Sequence, residues 1–443
     1  MVISSTEDGL DLVAGLRFMS SARITKPIDK KTRSLTSRRL IRGAWYAALV
    51  ITMIFTILTL VLFGASLLDP TSNLLTWASL EMWATFGPHL VLVSAIALFV
   101  GILGLWRHGP RRLFIIGTVV AVIALIISSV IVAQIVVAVS AGGGSSNPVS
   151  GLWLYSLSGY SPDAVATYTV VDGEALHAYI YEPSPSSNSS SVPVIMYIHG
   201  GGWVTGSPTD NSYDLRWFAN HGWLVVSIEY TLANSSYATW NIVPNEVACA
   251  LVWTSQNAAR FGGDPSRIVV AGDSAGGNLA VNLAYSAALG VAQSDCGGTV
   301  PVPRAVVVQY PVVDPNNAYV NGFGPPGHGP KDFTSEYIGG TPEQYPNRID
   351  AISSVSYLSS KAPQTLVIEP EDDGLIPSSG VYNFVNQAKA AGVNVTLVRI
   401  PWADHGYDQI LSAYIGGLGG NTIGDQAHLT ITENYLTRLA LSP

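Results

Sequence analysis

The chain has 443 residues, which is long enough for one catalytic domain of ordinary size and an appended region. Only 12% of the residues are charged, and the mean hydropathy of +0.33 is unusually high for a purely soluble protein. Residues 1–150 hold 12 Lys and Arg against 6 Asp and Glu, a balance of +6, whereas residues 151–443 hold 10 against 24, a balance of −14. The acidic second part has no basic stripe, which excludes nucleic acid as an expected partner.

Three long apolar runs account for the hydropathy, and we predict that each forms a transmembrane helix. The helices are expected at about 43–68, 88–106 and 113–141, which together make a membrane region over 43–141. Each run meets the requirement of roughly 20 apolar residues for a helix that crosses a bilayer. None of them contains Asp, Glu, Lys or Arg, and one Lys or Arg at mid-span would cost roughly 2.5–3.5 kcal/mol.

The charges that flank these runs predict the orientation in the membrane. Residues 1–42 form a basic leader with nine Lys and Arg, and Arg107, Arg111 and Arg112 follow the second run. The segment between the first and second runs has Asp69 and Glu81 but no Lys or Arg. By the positive-inside rule, the N-terminus is expected in the cytoplasm. Three crossings then predict an extracytoplasmic catalytic domain and membrane lipid as a partner.

The second part of the chain has the pattern of an α/β protein. Residues 142–165 are predicted to be a linker, because they begin with the flexible sequence GGGSSNP. The catalytic domain is expected over 166–443, where short apolar strands alternate with helical runs, which indicates a mostly parallel sheet with helices on both faces. Strands are predicted at 166–171 and 175–181 as a hairpin, and at 194–198, 223–228, 267–271, 305–309, 365–368 and 395–400; helices are predicted at 243–260, 275–289, 381–391 and 427–439.

A short motif in this domain predicts a nucleophilic serine. Gly272-Asp273-Ser274-Ala275-Gly276-Gly277 follows the strand RIVVA and precedes a helical run, so G-x-S-x-G stands in the strand–turn–helix setting that it needs. Flanking glycines are required because such a turn crowds its neighbours and leaves no room for a Cβ. The start of the helix also directs free N–H groups at developing negative charge. We therefore predict that Ser274 is the nucleophile.

A glycine run about 70 residues earlier predicts a site that binds an oxyanion. His199-Gly200-Gly201-Gly202-Trp203 comes directly after the apolar strand VIMYI. A tetrahedral intermediate needs converging backbone N–H donors, and consecutive glycines let the chain approach it closely. The two motifs in this order favour acyl transfer through a serine.

From about Thr167 to its end, the chain resembles the hormone-sensitive-lipase-like carboxylesterases and the related small acetyl- and feruloyl-esterase-like hydrolases. The resemblance is carried by HGGGW at 199–203, IEY at 228–230, NAARFGGDPSRI at 257–268 and GDSAGGN at 272–278. It implies an α/β-hydrolase fold, with the N–H groups of Gly201, Gly202 and Ala275 as the oxyanion hole. It also implies a structural function for His199 rather than that of the base.

The base is expected after the nucleophile, because the chain order in this fold is Ser, then acid, then His. His328, His405 and His428 follow Ser274. His405 lies in a loop just after the last predicted strand, which brings its imidazole to the carboxyl edge of the sheet, and it matches the family's H-G-[FY] ending. We predict that His405 is the base and that the other two histidines are not catalytic.

The acid is predicted in a loop after the strand TLVIE. The family pattern there is usually G-x-x-D-x-L-[IV]-P, and it aligns Asp373 with the catalytic Asp, which fixes the tautomer of His405. Asp372 remains an alternative, since the register of a loop can shift by one residue. Asp404 and Asp408 flank His405 and are expected to be solvated or hydrogen-bonded locally.

The sequence departs from the family at two positions that support the oxyanion loop, where Thr231 replaces an Arg and Glu246 replaces an Asp. These changes concern substrate details rather than the reaction. The stretch 316–360, which is rich in Gly, Pro and aromatic residues, is either the wall of the acyl pocket or an ordinary surface loop. Cys249 and Cys296 form either a disulfide or two buried thiols. We predict no metal site and no cofactor.

Three functions are compatible with these features. The first is a membrane-anchored carboxylesterase that hydrolyses a small or medium acyl ester, including a lipid or carbohydrate ester, through an acyl-serine. The second is an acyltransferase that passes the acyl group to a sugar or lipid alcohol. The third is a non-catalytic membrane sensor, which the presence of Ser274, Asp373 and His405 disfavours.

Overall fold

A computed structural model describes residues 30–108, 111–184, 191–324, 327, 329–409 and 418–443. The chain divides into two compact units, 1–48 and 49–443. The described part of the first unit is the beginning of a long helix, so most of the predicted leader lies outside the described residues. The second unit contains the remainder of this helix and the rest of the described chain.

Three long helices occupy the predicted membrane region: α1 (Lys30–Ser66), α2 (Leu74–His108) and α3 (Arg112–Ala141). Each is long and apolar enough to cross a membrane, as judged by its length and composition. Many of their large apolar side chains are exposed, among them Ile54, Phe99 and Ile126. These side chains have the character of a surface that faces lipid.

Helix α2 differs from the prediction, because it begins at Leu74 and not near Pro88. Its 35 residues span about 52 Å, well beyond the ~30 Å of a hydrocarbon core. Nine of the first fifteen residues are buried: Thr76, Ser79, Leu80, Glu81, Trp83, Ala84, Thr85, Gly87 and Pro88. Contacts with the rest of the protein therefore stabilise a helical segment whose polar residues suggest a loop.

The strands of the remaining described chain are β1 (Tyr155–Ser156), β2 (Ala164–Val171), β3 (Glu174–Tyr181), β4 (Val192–Ile198), β5 (Leu224–Ile228), β6 (Gly263–Asp273), β7 (Ala305–Gln309), β8 (Gln364–Pro370), β9 (Val395–Ile400) and β10 (Leu418–Gly420). Eight of them form one sheet in the order β2-β3-β5-β4-β6-β7-β8-β9. Strands β2 and β3 form the predicted hairpin, β3 pairs antiparallel with β5, and the other neighbours are parallel. A separate pair joins β1 to β10.

Helices cover both faces of this sheet, as the sequence predicts. They are α4 (Ser212–Asn220), α5 (Val243–Asn257), α6 (Ser274–Leu289), α7 (Pro315–Asn321), α8 (Pro330–Ile338), α9 (Pro346–Ile352), α10 (Ser378–Ala390) and α11 (Ile423–Arg438). Val247, Leu279 and Phe384 of α5, α6 and α10 belong to the core on one face, and Phe218 and Leu429 of α4 and α11 to the core on the other.

The second of these cores continues into the long apolar helices. Trp83 and Ala84 of α2 and Ile135 of α3 belong to the same buried cluster as Phe218 and Leu429. Contacts at short range confirm the packing: a Cβ added to Gly424 of α11 would lie 3.2 Å from the Cβ of Ala84, and one added to Gly142 would lie 2.6 Å from a methyl of Val398 on β9. The membrane region and the sheet therefore share one hydrophobic core.

The prediction of a flexible linker over 142–165 is corrected by this packing. The N–H of Ser145 donates to Oγ1 of Thr430, and the N–H of Asn147 donates to Oε1 of Gln426, both on α11. A 3-10 turn at Ser150–Leu152 and strand β1 follow. The glycine at 144 allows the chain to lie close to α11, since a Cβ on Gly144 would lie 2.6 Å from the side chain of Ile431.

Candidate active site

Ser274 lies at a sharp turn between β6 and α6. Its backbone φ is +52°, a left-handed conformation that non-glycine residues rarely adopt. Neighbouring glycines make the turn possible, because a Cβ on Gly276 would lie 2.1 Å from the carbonyl oxygen of Ile198 and one on Gly272 would lie 2.6 Å from that of Gly276. The turn therefore has the crowded geometry that the G-x-S-x-G motif predicts.

The HGGGW loop packs directly on this turn. Gly201 and Gly202 have φ of +106° and +60°, which explains why glycine is needed at both positions. Within the described part of the chain, their N–H groups donate no hydrogen bond. Ala275 is the second residue of α6, where a helical N–H has no partner within the helix. The structure thus leaves three N–H groups available in the two segments that flank Ser274.

His405 and Asp373 complete a chain of hydrogen bonds from Ser274. Nε2 of His405 is 2.9 Å from Oγ of Ser274, and Nδ1 of His405 is 2.8 Å from Oδ2 of Asp373. A carboxylate can only accept, so Nδ1 donates to Asp373 and Nε2 accepts from the hydroxyl of Ser274. Asp373 is 2% exposed and His405 8% exposed, so the chain is shielded from solvent but reachable at the serine end.

The two loops that carry the imidazole and its carboxylate are joined by Asp404. Its Oδ1 accepts from the N–H of Gly374 and from the N–H of His405, each at 2.7 Å. Asp404 is fully buried, and burial together with the charge of Asp373 raises its pKa well above the usual value. Of the two expectations for Asp404, local hydrogen bonding describes the structure and solvation does not.

The neighbouring residue Asp372 does not reach His405. Its N–H donates to the carbonyl of Ala403 at 3.2 Å, and partial burial, followed by the charge of Glu371, raises the pKa of its carboxyl to about 6. Of the two candidates for the acid, the structure therefore brings Asp373 to the imidazole.

Among the described residues, His405 is the only histidine that is hydrogen-bonded to Ser274. His428 on α11 is buried on the opposite side of the sheet, where desolvation lowers its pKa to about 3. His199 stacks on Tyr230 with ring centroids 4.4 Å apart, and burial lowers its pKa to about 4. His328 lies outside the described residues.

Two acidic residues beside the site, Asp273 and Asp408, have hydrogen-bond partners that were not predicted from the sequence. Asp273 accepts hydrogen bonds from the hydroxyl of Tyr197 and from the N–H of Gly200. It therefore connects the strand–helix turn at Ser274, the elbow, to the HGGGW segment at 199–203, the glycine loop. Asp408 accepts from Nε2 of Gln309 at 3.1 Å and from the hydroxyl of Tyr310 at 2.7 Å. Asp408 was expected to be solvated or hydrogen-bonded locally; it is buried, its partners lie almost 100 residues earlier, and this burial raises its pKa to about 6.

The two departures from the family pattern contact each other. Thr231 donates to Glu246 twice, through its N–H at 2.8 Å and through its hydroxyl at 2.6 Å. Each replacement therefore supplies the partner that the other needs.

The stretch 316–360 contains helices α7 to α9 and so is not simply a surface loop. Phe333 of α8 lies next to Gly202, since a Cβ on Gly202 would lie 2.8 Å from its ring. Trp203 stacks on Tyr337 with ring centroids 4.6 Å apart. Aromatic side chains of α8 therefore line the side of the site next to Gly202.

The described residues contain no group of three His, Cys, Asp or Glu side chains that could hold a metal ion. Cys249 and Cys296 are joined by a disulfide that connects α5 to the segment after α6.

The site as described holds a hydroxyl, a base that accepts its proton, a carboxylate that orients the base, and free N–H groups. Such a set can perform nucleophilic acyl transfer.

The chain is similar in sequence to a known family and to proteins named as esterases. Residues 179–387 match the family BD-FAE. Esterase LipQ of Mycobacterium tuberculosis is 28% identical over 254 residues, which cover 52% of this chain and 57% of LipQ. The probable carboxylic ester hydrolase LipM of the same organism is 27% identical over 294 residues, which cover 62% of this chain and 63% of LipM. The chain thus spans about three-fifths of the length of these relatives.

Solved structures show the same fold. Native esterase Est2 from Thermogutta terrifontis superimposes with a TM-score of 0.51 at 23% identity, and the match covers 64% of this chain and 96% of that one. The apo form of esterase 2 from the same organism gives a TM-score of 0.50 at 22% identity, covering 64% and 97%. The chain therefore has the α/β-hydrolase fold and carries a domain similar to the hormone-sensitive-lipase-like esterases, as its motifs indicate.

Proposed function

We propose that this protein is a membrane-anchored serine carboxylesterase that hydrolyses a small or medium acyl ester. The observation that carries the proposal is the continuous chain of hydrogen bonds from Ser274 through His405 to Asp373. The similarity to LipQ and LipM, an esterase and a probable carboxylic ester hydrolase, supports the same reaction class.

The reaction begins with attack of the Ser274 oxygen on the ester carbonyl. Nε2 of His405 takes the hydroxyl proton as the new C–O bond forms, and Asp373 stabilises the imidazolium through the bond to Nδ1. The intermediate then expels the alcohol, which receives the proton from Nε2, and leaves an acyl-serine. Water attacks the acyl carbon with His405 again as the base, and Ser274 regains its proton as the acid leaves.

The negative charge of both tetrahedral intermediates falls on the former carbonyl oxygen. The N–H groups of Gly201, Gly202 and Ala275 are the proposed donors to that oxygen. Their positions are supported by contacts of the glycine loop with the elbow, because both segments are held by Asp273 and by close backbone packing. Each such donor typically contributes ~10²–10³ in turnover.

The catalytic domain is proposed to lie on the extracytoplasmic side, with residues 1–42 in the cytoplasm. The basic residues of the leader and of the α2–α3 connection support this orientation. The disulfide between Cys249 and Cys296 supports it independently, since such bonds persist in oxidising compartments. A protease added to intact cells should cleave within 142–443, and protection of that region would contradict the orientation.

The reaction is tested on the full chain purified in detergent, with p-nitrophenyl esters of increasing acyl length. Ser274→Ala is expected to lower kcat by roughly 10³-fold or more, whereas Ser286→Ala on the same helix is expected to leave it unchanged. A fluorophosphonate probe should label wild type on Ser274. Equal turnover by wild type and Ser274→Ala would refute the proposal, and product analysis with an added alcohol would detect transfer instead of hydrolysis.

A further inference from the structure

The contacts between α3 and β9 show which edge of the sheet faces the membrane region. Nε1 of Trp402, just after β9, donates to Oε1 of Gln134 on α3 at 2.6 Å. Further along the chain, at the end of α3, a Cβ on Gly142 would lie 2.6 Å from a methyl of Val398 within β9. Helix and strand therefore run in opposite directions. Because β4 to β9 are parallel, all their carboxyl ends point back along α3 toward Arg112.

The part of α3 that precedes this contact has the length of a membrane crossing. From Arg112 to Gln134 the helix measures about 33 Å, close to the ~30 Å of a hydrocarbon core. On α2, Gly87 packs on Val132 of α3, and the helix from there to Arg107 measures about 30 Å. The hydrocarbon core therefore fits between the arginines at one end and the level of Gln134 at the other.

The loops of the proposed acid and base lie at the edge of the sheet that faces this level. Asp373 follows β8 and His405 follows β9, so both are at carboxyl ends of parallel strands. His405 comes three residues after Trp402, and three residues extend at most about 11 Å. The interfacial layer adds roughly 5–8 Å to each side of the hydrocarbon core. The base therefore lies at or just above the height of the lipid headgroups.

Two exposed leucines lie beside the acid loop at a similar height. Leu67 and Leu68, the apolar rim, directly follow α1 and are 61% and 54% exposed. They line an open groove together with Asp372 and Trp402. The ring of Phe63, one turn earlier, has its centroid 6.0 Å from that of Trp402, which places Leu67 about 6 Å further from the hydrocarbon core. The apolar rim thus continues the lipid-facing surface of α1 up to the acid loop.

An exposed tryptophan from another segment lies where the hydrocarbon core ends. The carbonyl oxygen of Leu152 is 3.2 Å from Nε2 of His89, which is two residues beyond Gly87 on α2. The next residue, Trp153, is exposed. Tryptophan is enriched where hydrocarbon meets headgroups. Segments far apart in sequence therefore present interfacial side chains around the membrane-facing edge of the sheet.

We propose that the substrate is an acyl ester of a membrane lipid, which Ser274 attacks while the lipid remains in the adjoining leaflet, with the apolar rim inserted among the headgroups. The ester group of such a lipid lies at headgroup height, close to the base, and its apolar chain does not have to enter water. This inference rests on the proposed function, because it assumes that Ser274 attacks an ester. It narrows the substrate class to esters held in the bilayer.

The test uses the full chain in nanodiscs of ether-linked phosphatidylcholine, which has no ester of its own to be cleaved. Two acetyl esters are compared. One is 1-O-hexadecyl-2-acetylglycerol, whose only ester is held in the bilayer by an ether-linked chain, and the other is p-nitrophenyl acetate in the surrounding water. Wild type is expected to release acetate from both esters, and Ser274→Ala from neither.

The double variant Leu67→Gln with Leu68→Gln makes the apolar rim polar without adding charge near Asp373. Its turnover of the lipid ester is expected to fall roughly tenfold or more, because the rim no longer favours insertion among lipids. Its turnover of p-nitrophenyl acetate should stay within about twofold of wild type, since a soluble ester reaches Ser274 from water. The matched control is Val302→Gln, an exposed apolar residue before the amino end of β7, at the opposite edge of the sheet, and it should leave both rates unchanged.

A depth measurement tests the same geometry without turnover. The two native cysteines are joined in a disulfide, so a bimane label attaches to a cysteine introduced by Leu68→Cys or by Val302→Cys. Both are made in the Ser274→Ala background, so that brominated phosphatidylcholine stays intact. Quenching by this lipid should be at least twice as strong at position 68 as at position 302.

Four outcomes would overturn the inference and leave the proposed function standing. In the first, wild type cleaves p-nitrophenyl acetate but not the lipid ester; in the second, the rim variant keeps its lipid-ester turnover within twofold of wild type. In the third, the rim variant loses both activities in equal proportion, which means that the rim supports the fold and not access of lipid. The fourth is equal quenching at positions 68 and 302. A wild type that cleaves p-nitrophenyl acetate no faster than Ser274→Ala would instead refute the proposed function itself.

Discussion

Replacing Asp373 by Asn tests the orientation of the base with almost no change in shape. Asp373 accepts at both oxygens, from Nδ1 of His405 at 2.8 Å and from the N–H of Ile376 at 2.7 Å. In the variant, the amide oxygen keeps the bond to Ile376, which directs the NH₂ group at Nδ1. An NH₂ group can only donate, so Nδ1 must become the acceptor and the ring proton moves to Nε2. His405 then cannot accept the proton of Ser274.

The expected loss is large because it affects every step in which His405 acts as a base. For an Asp-to-Asn change that traps the wrong tautomer in a serine triad, kcat falls about 10⁴-fold. That factor corresponds to about 5.4 kcal/mol of transition-state stabilisation. The fold should be retained, because the hydrogen bond to Ile376 remains and no volume is lost.

The matched control is Asp372→Asn, one residue away in the same loop. Asp372 makes no contact with His405, so its kcat is expected within about threefold of wild type. Both variants are assayed with the same p-nitrophenyl ester, and the melting temperature is followed in parallel. Similar losses in the two variants, or a larger loss for Asp372→Asn, would refute the assignment of Asp373 and the tautomer argument.

Three further predictions concern stability. Cys249→Ala with Cys296→Ala opens a loop of 47 residues and should lower the free energy of unfolding by up to about 4 kcal/mol in denaturant titrations, whereas no loss would mean that the bond is absent in solution. The pKa of His428 is about 3 in the folded protein against 6.5 in the unfolded chain, so stability is unaffected by this group above pH 6.5 and falls as the pH drops below it, because the unfolded chain binds the proton. His428→Leu should flatten the slope of the free energy of unfolding against pH by up to ~1.4 kcal/mol per pH unit in that range, and an unchanged slope contradicts a buried neutral imidazole. Thr231→Val removes the hydroxyl donor to Oε1 of Glu246 but keeps the N–H donor to Oε2, and should lower the free energy of unfolding by about 1–3 kcal/mol, while Thr231→Ser should be nearly neutral.

The elbow and the glycine loop could be predicted because local backbone geometry dictates their residue types. A serine at φ of +52° between a strand and a helix needs small neighbours, and Gly272 and Gly276 meet that requirement in a way that is visible in the sequence. The same applies to Gly201 and Gly202. The assignments of Ser274, Asp373 and His405 to catalysis remain predictions that the experiments above address.

The start of α2 could not be predicted, because hydropathy describes a segment as if lipid were its only partner. Ser79 and Glu81 are poor residues for a lipid-facing helix, so the segment before Pro88 reads as a loop. In the structure, Ser79 accepts a hydrogen bond from Ser66, and the segment packs on residues more than 280 positions later. A prediction from local sequence considers the start of α2 without the distant residues on which it packs.

The burial of Asp404 and Asp408 was missed for a related reason. A carboxylate next to a surface loop is normally solvated, and only the neighbouring elements decide otherwise. Asp408 is covered by Gln309 and Tyr310, which lie almost 100 residues earlier. The pairing of Cys249 with Cys296 is equally a property of the fold, because sequence spacing does not fix which thiols meet.

The hydrophobic core that α2, α3 and α11 share also determines when the chain can complete its folding during synthesis. The apolar helices emerge from the ribosome first, whereas α11, which packs on them and binds the 142–148 segment across 285 residues, emerges last. Until synthesis ends, that surface is uncovered, and a chain lacking either end would expose apolar area that promotes aggregation. Removal of the membrane helices to obtain a soluble enzyme would therefore uncover Ile423, which lies next to Gly87 of α2, and substitutions at that face would be needed for the domain to stay in solution.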